Sequence, residues 1–170
     1  EQNTKLKGDK FKVTIELEGD RNEVSSPLTF LDGPITNSKA TLSFSEEELT
    51  TSREGSFLLA TPTDNTESTN EASGLWFVSE DDNKPSLDLK RIRSDHWIWS
   101  SRLIDNKGTI DLGEFYDPET KDLSNKYQLS NSDGFLAPGE DLLKDLPNGR
   151  PAPVNLANGN YEVMISLEPR

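Results

Sequence analysis

"HWIWSSRLIDNKGTIDLGEFY", residues 96–116, is the stretch whose reading decides the fold. Two apolar runs flank Asp105-Asn106-Lys107-Gly108, where Asn and Gly tolerate the positive φ that a tight hairpin needs. The flanks therefore read as two antiparallel strands. If Leu103 faces inward, a period of two puts Trp97, Trp99 and Ser101 on the same side, and His96, Ile98, Ser100, Arg102 and Ile104 on the other. Each indole buries on the order of 200 Å², so two on one strand face are a large investment in a core. The expectation is that Trp97 and Trp99, with Trp76 of "GLWFV", fill the interior. The alternative is that one of these rings stands exposed as a stacking platform for a sugar or for a partner's proline.

The same period runs outward along the chain. "FKVTIELE" sets Phe11, Val13, Ile15 and Leu17 against Lys12, Thr14, Glu16 and Glu18, the pattern of a half-buried strand. "ATLSF" and "NYEVMISLEP" alternate in the same way. "GSFLLATPT" and "GLWFVSE" are short apolar runs bounded by Gly, Pro and charge, which suits buried strands. Helix signals are few. "SEEEL" (45–49) fits a capping box, and "GEDLLKDLPNG" fits one or two turns ended by Pro147. Long polar connections occupy 62–73, 79–85, 117–134 and 147–159. Seven or eight short strands with one or two short helical turns predict an all-β chain. The expected architecture is an antiparallel β-sandwich, immunoglobulin-like or related. Residues 1–10 read as a flexible tether and 11–170 as one domain.

The chain has 170 residues and a formal net charge of -13, with a mean hydropathy of -0.73. Leu, Ile, Val and Phe together exceed the roughly 20% below which disorder becomes the better expectation. A surface this acidic repels a nucleic-acid duplex or an anionic bilayer, and "LKRIR" (89–93) is the only compact basic run. No nucleic-acid partner is expected. With no cysteine there are no disulfides, thiolate metal sites or thiol nucleophiles. No stretch approaches the ~18 apolar residues of a membrane span. A polar opening, "EQNTKLKGDK", suits a tether that follows a removed signal.

Candidate chemistry is sparse. Ser94, Asp95 and His96 are triad residue types in a row, but neighbours on a strand point to opposite faces and cannot converge as a triad. A single histidine rules out a two-histidine metal site within one chain. "EDD" (80–82), "DPETKD" (117–122) and "GED" (139–141) are acidic loops of the kind that suits calcium. None has the EF-hand spacing, so they read as solvated turns. No metal and no cofactor is expected, and no catalytic residue is assigned. A hydrolase using a carboxylate pair would need a cleft holding two inward acids, at least one with a raised pKa. The loops 62–73, 79–85 and 117–134 are the expected contact surface, with Tyr116, Asp117, Glu119 and Tyr127 as candidate contacts for a partner, the tyrosines because aromatic rings make large contacts at interfaces. The competing reading is that the two tyrosines cover the edge of the core.

An ordered set of motifs adds a resemblance. "FLLATPT" (57–63), "SGLWF" (73–77), "PSLDL" (85–89), "WIW" (97–99), "LID" with "NKG" (103–108), "LGEF" (112–115), "APGEDLL" (137–143) and "SLEP" (166–169) follow one another over roughly 11–169. In this order they resemble a group of uncharacterised bacterial exported lipoproteins, distantly similar to the extracytoplasmic domain of anti-sigma-K factors. The chain departs from that group at 97–102, where Trp-Ile-Trp-Ser-Ser-Arg stands in place of W-x-Y-E-G-W. The resemblance implies an exported, lipid-anchored β-sandwich of the outer membrane, periplasm or cell surface. It implies an accessory or protein-interaction subunit rather than an enzyme, with another envelope protein or membrane complex as partner. Membrane contact would come only through a lipid on a cysteine preceding Glu1 in a precursor. The alternatives from other classes are a carbohydrate-binding module using Trp97, Trp99 or Trp76, and the carboxylate-dependent hydrolase. In "LGEF", Gly113 suits a bulge or a close backbone approach. In "APGEDLL", carboxylates at a helix start would complement the helix dipole.

Overall fold

The structure is a computed structural model and describes residues 8–16, 29–37, 39–44, 54–64, 69–93, 96–129 and 134–170. The "SEEEL" segment and the Ser94-Asp95 pair lie outside these residues. Among the described residues the strands are antiparallel and helix is confined to single 3-10 turns, so the chain is all-β as its periodicity predicts. It divides into two compact units, Glu1–Thr51 and Ser52–Arg170, where the sequence reading has one domain over 11–170.

In the first unit β1 (Lys10–Thr14) pairs with β2 (Thr29–Thr36). β2 in turn pairs with the two-residue strands β3 (Lys39–Ala40) and β4 (Ser43–Phe44). Pairing reaches into the expected tether: Lys10 sits opposite Pro34, and the Asp9 carbonyl accepts the Ile35 N–H at 2.9 Å. Alternation does not translate into burial here. Phe11, expected inward, is exposed, and Val13 is half-buried. "ATLSF" becomes two short pieces rather than one strand.

The second unit holds two sheets. β5 (Gly74–Trp76) pairs with β8 (Gly139–Asp141). β6 (Trp97–Asp105) lies between β7 (Gly108–Phe115) and β9 (Glu162–Pro169). Leu75 and Phe77 pack with Leu103, Ile110, Leu112 and Tyr127 in one cluster, which therefore draws on both sheets. "FLLATPT" contributes only an isolated bridge, Leu58 to Trp76, and "GLWFVSE" shortens to β5 plus the bridge from Val78 to Pro85.

The β6–β7 hairpin closes where the turn residues put it. Asp105 pairs with Gly108, and the positive φ falls on Gly108, at 106°. Asp105 Oδ1 accepts the Lys107 N–H at 2.7 Å, the side-chain mimic of a turn hydrogen bond. Further along, Ser101 pairs with Gly113 but Arg102 pairs with Asp111, leaving Leu112 as the extra residue of a bulge. Gly113 adopts φ 126°, and the Ser101 hydroxyl donates to its carbonyl at 3.1 Å. A Cβ on Gly113 would lie 2.7 Å from the Asp122 carboxyl carbon. The glycine thus serves both the bulge and a close approach.

One expectation for 139–149 fails. Gly139–Asp141 is strand, and the only helical element is the 3-10 turn Pro147–Gly149. The reason lies in where the N–H groups go. Leu142 donates to Ser73, and Leu143 and Lys144 both donate to the Tyr127 carbonyl. An α-helix beginning at Glu140 would need the Lys144 N–H for its own first bond, to the Glu140 carbonyl.

Candidate functional site

The three tryptophans are interior residues. Trp76, Trp97 and Trp99 retain only 5%, 7% and 5% of their surface. β6 is a central strand, and from Trp97 to Ser101 it is buried on both faces rather than one. Ile92 of the basic run is buried and donates its N–H to the Tyr116 carbonyl, while the Lys90 carbonyl accepts the Trp99 indole N–H at 3.0 Å. A stacking platform built on these rings has no exposed surface to offer.

The proposed contact residues separate. Tyr127 is buried and belongs to the core cluster; the competing reading holds for it. Tyr116 is half-buried under the Arg170 guanidinium, 5.5 Å from the ring centre, and its hydroxyl accepts from Arg170. Asp117 caps its own turn by accepting the Glu119 N–H at 3.0 Å, and it lies 3.7 Å from Arg91. Glu119 is exposed. Only Tyr116, Asp117 and Glu119 remain a surface group. His96 is exposed at the entrance to β6.

A second feature groups residues that the sequence treats as solvated turns. A cleft of about 290 Å³ is lined by Asp122, Leu123, Ser124, Gln128, Gly134 and Trp76 among others. Gly134 is fitted to Trp76, whose ring a Cβ there would meet at 2.1 Å. Beside it, "GED" is sealed rather than wet: Glu140 is 1% exposed and Asp141 is fully buried. The "EDD" group at 80–82 is exposed as expected, and so are Glu119, Thr120 and Lys121 of "DPETKD".

Each carboxylate fastens something. Asp141 Oδ2 accepts the Thr63 N–H at 2.9 Å and also the Thr63 hydroxyl, while Oδ1 accepts the Trp76 indole N–H at 2.8 Å. Asp122 accepts the Ser124 N–H at 2.7 Å and the Gly139 N–H at 2.8 Å. Glu140 Oε2 accepts the Lys126 N–H at 3.0 Å and the Ser124 hydroxyl at 3.2 Å. Its Oε1 has no partner among the described residues. Burial pushes Asp122 up to about 6 and Glu140 up to about 7, and their mutual charge adds to the rise in Glu140. Burial raises Asp141 as well. Chemically Asp122 and Glu140 hold protons near neutrality. Each Asp122 oxygen already accepts a backbone N–H, and Glu140 is closed off from solvent. The arrangement fastens loop 122–127 to β8. No cluster of three or more metal-binding side chains occurs among the described residues.

Asp122, Glu140 and Asp141 are the residues sequence reasoning passed over. The available signal was composition: in "FLAPGEDLL" two carboxylates interrupt an apolar run, which favours partnered burial over a wet turn. Three exposed leucines lie on the same two segments. Leu123, Leu129 and Leu136 keep 61%, 57% and 67% of their surface. No family model, no curated protein and no solved structure matches the chain.

Proposed function

We propose that the chain is a non-catalytic protein-interaction domain of a bacterial cell envelope, and that its second unit is a β-sandwich formed by the β5–β8 and β7–β6–β9 sheets. The observation that carries the reading is the exposure of Leu123, which lines the cleft, together with Leu129 and Leu136, the chain neighbours of its lining residues Gln128 and Ala137. Exposed apolar side chains grouped this way mark contact surfaces. The net charge of -13 selects for a partner segment that is basic as well as apolar. The envelope setting and a lipid anchor rest on the motif order from 57 to 169. The test is site-specific photocross-linking from positions 123 and 136 in intact cells of the source organism. The same envelope protein is expected from both sites, with the adduct lost in Leu123→Asp/Leu136→Asp. Absence of an adduct, or an equal yield from the exposed Lys107 at the β6–β7 turn, would sink the proposal.

A second reading, the carboxylate-dependent hydrolase, has one observation behind it: Asp122 lines the cleft and titrates near 6. The engagement of both its oxygens with backbone donors favours the interaction reading. Release of nitrophenol from a panel of nitrophenyl glycosides, abolished in Asp122→Asn with the fold retained, would reverse that preference.

A further inference from the structure

A second concavity lies at the far end of the β6–β7 hairpin, built from different residues. The hairpin turn presents Asn106 and Lys107. The chain entering β9 presents Asn158, Asn160 and Tyr161 around a turn in which Gly159 adopts φ 76°. Pairing of Ile104 with Glu162 brings the two segments side by side. Between them is a depression of about 290 Å³, continuous through Asp105, Asn106, Asn160 and Tyr161 with a neighbouring one of about 350 Å³.

Its floor is a buried ion pair. Arg150 donates from Nε to Asp105 Oδ2 at 2.9 Å, from Nη2 to Asp105 Oδ1 at 2.5 Å, and from Nη1 to the Pro147 carbonyl at 2.8 Å. The guanidinium holds Asp105 below the usual carboxylate range, and Asp105 raises Arg150, so both stay charged and cancel. At the rim, Lys107 and Glu162 are of opposite sign. The site carries no net charge to attract an ion, although the whole chain is strongly acidic.

The groups left over are neutral. Among the described residues, the side-chain amides of Asn106 and Asn160 and the hydroxyl of Tyr161 have no hydrogen-bond partner. Asn158 uses its carbonyl oxygen on the Asn160 N–H at 2.9 Å, leaving its amide donors. An amide offers both donor and acceptor, the complement of a hydroxyl. Tyr161 packs against the core cluster with part of its ring and lines the depression with the rest. An aromatic ring held rigidly beside several amides over a charge-balanced floor suits a neutral polyhydroxylated ligand. The ring covers its apolar C–H face, and the amides pair with its hydroxyls.

The geometry points to a carbohydrate-binding site at Asn106, Asn158, Asn160 and Tyr161, taking one to three residues of an uncharged glycan. It shares no lining residue with the Asp122 cleft and does not use the tryptophans. The test is saturation-transfer-difference NMR on the full chain with three neutral probes, chitotriose, cellotriose and mannotriose. Sialyllactose and inorganic phosphate serve as charged controls. At least one neutral trisaccharide is expected to show transfer, weakened at least tenfold by Asn106→Ala/Asn160→Ala, both exposed positions, with an unchanged melting temperature. Tyr161→Phe, which keeps the ring, is expected to weaken it less than Tyr161→Ala. No transfer to any of the three, transfer that survives the double asparagine variant, or binding of phosphate or sialyllactose in preference to all three would each overturn the assignment.

Discussion

Asp141 and Trp76 stand sixty-five residues apart in the chain, and the indole N–H of Trp76 reaches Asp141 Oδ1 at 2.8 Å in a buried setting. With Thr63 bound to the other oxygen, one carboxylate ties the 58–64 segment, β5 and β8 together. Asp141→Ala removes the acceptor of three buried hydrogen bonds, each loss costing about 1–3 kcal/mol. The expected loss of stability is about 3 kcal/mol or more, read by urea denaturation followed through tryptophan fluorescence. A loss under about 1 kcal/mol would mean that the carboxylate is not the tie described.

Stability should fall as the medium becomes more alkaline. Glu140 and Asp122 titrate at about 7 and about 6 in the folded chain, above the ordinary carboxylate range they recover on unfolding. The folded state therefore binds more protons between pH ~4.5 and ~7. The stabilisation is fully present below the ordinary range and lost as pH rises through the folded values. For Glu140 the change is roughly 3 kcal/mol. The melting temperature is expected to be higher at pH 5 than at pH 8, with a shallower slope in Glu140→Gln. A wild-type slope of the opposite sign would contradict the buried-carboxylate account.

The hairpin bulge is tested at Gly113. An alanine there must adopt φ 126° and meet the Asp122 carboxyl carbon at 2.7 Å. Strain and displacement together are expected to cost about 2 kcal/mol or more. The change should also disturb the Asp122 hydrogen bonds to Ser124 and Gly139, visible as faster amide exchange at those two residues. Protection unchanged at both would separate the bulge from the loop.

The Arg150–Asp105 pair calls for a double-mutant cycle. Removing one partner leaves a buried charge, so Asp105→Leu or Arg150→Met alone is expected to cost about 3–5 kcal/mol. The double variant should cost clearly less than the sum, because no charge is left unpaired. Additive losses in chemical denaturation would show that the two charges do not depend on each other.

What the sequence alone determined is local. The Asp105–Gly108 turn, the strands on either side, the closing strand from 162 and the glycine at the bulge all follow from neighbouring residues. Backbone propensity and a period of two act over a few positions, so these features are readable without a fold. The burial of Trp97 and Trp99 also follows, since an acidic, polar chain has few other large apolar groups to place in a core. Tertiary structure decided the rest. Whether "GED" would be wet or sealed depended on Ser124, Lys126, Thr63 and Trp76 arriving from elsewhere. Whether 139–149 would be helix or strand depended on Ser73 and Tyr127 taking its N–H groups. The asparagine-lined depression exists only because β6 and β9 pair in one register. A carboxylate carries no local mark of the partner that will desolvate it, because that partner is fixed by chain topology and not by the residues beside it.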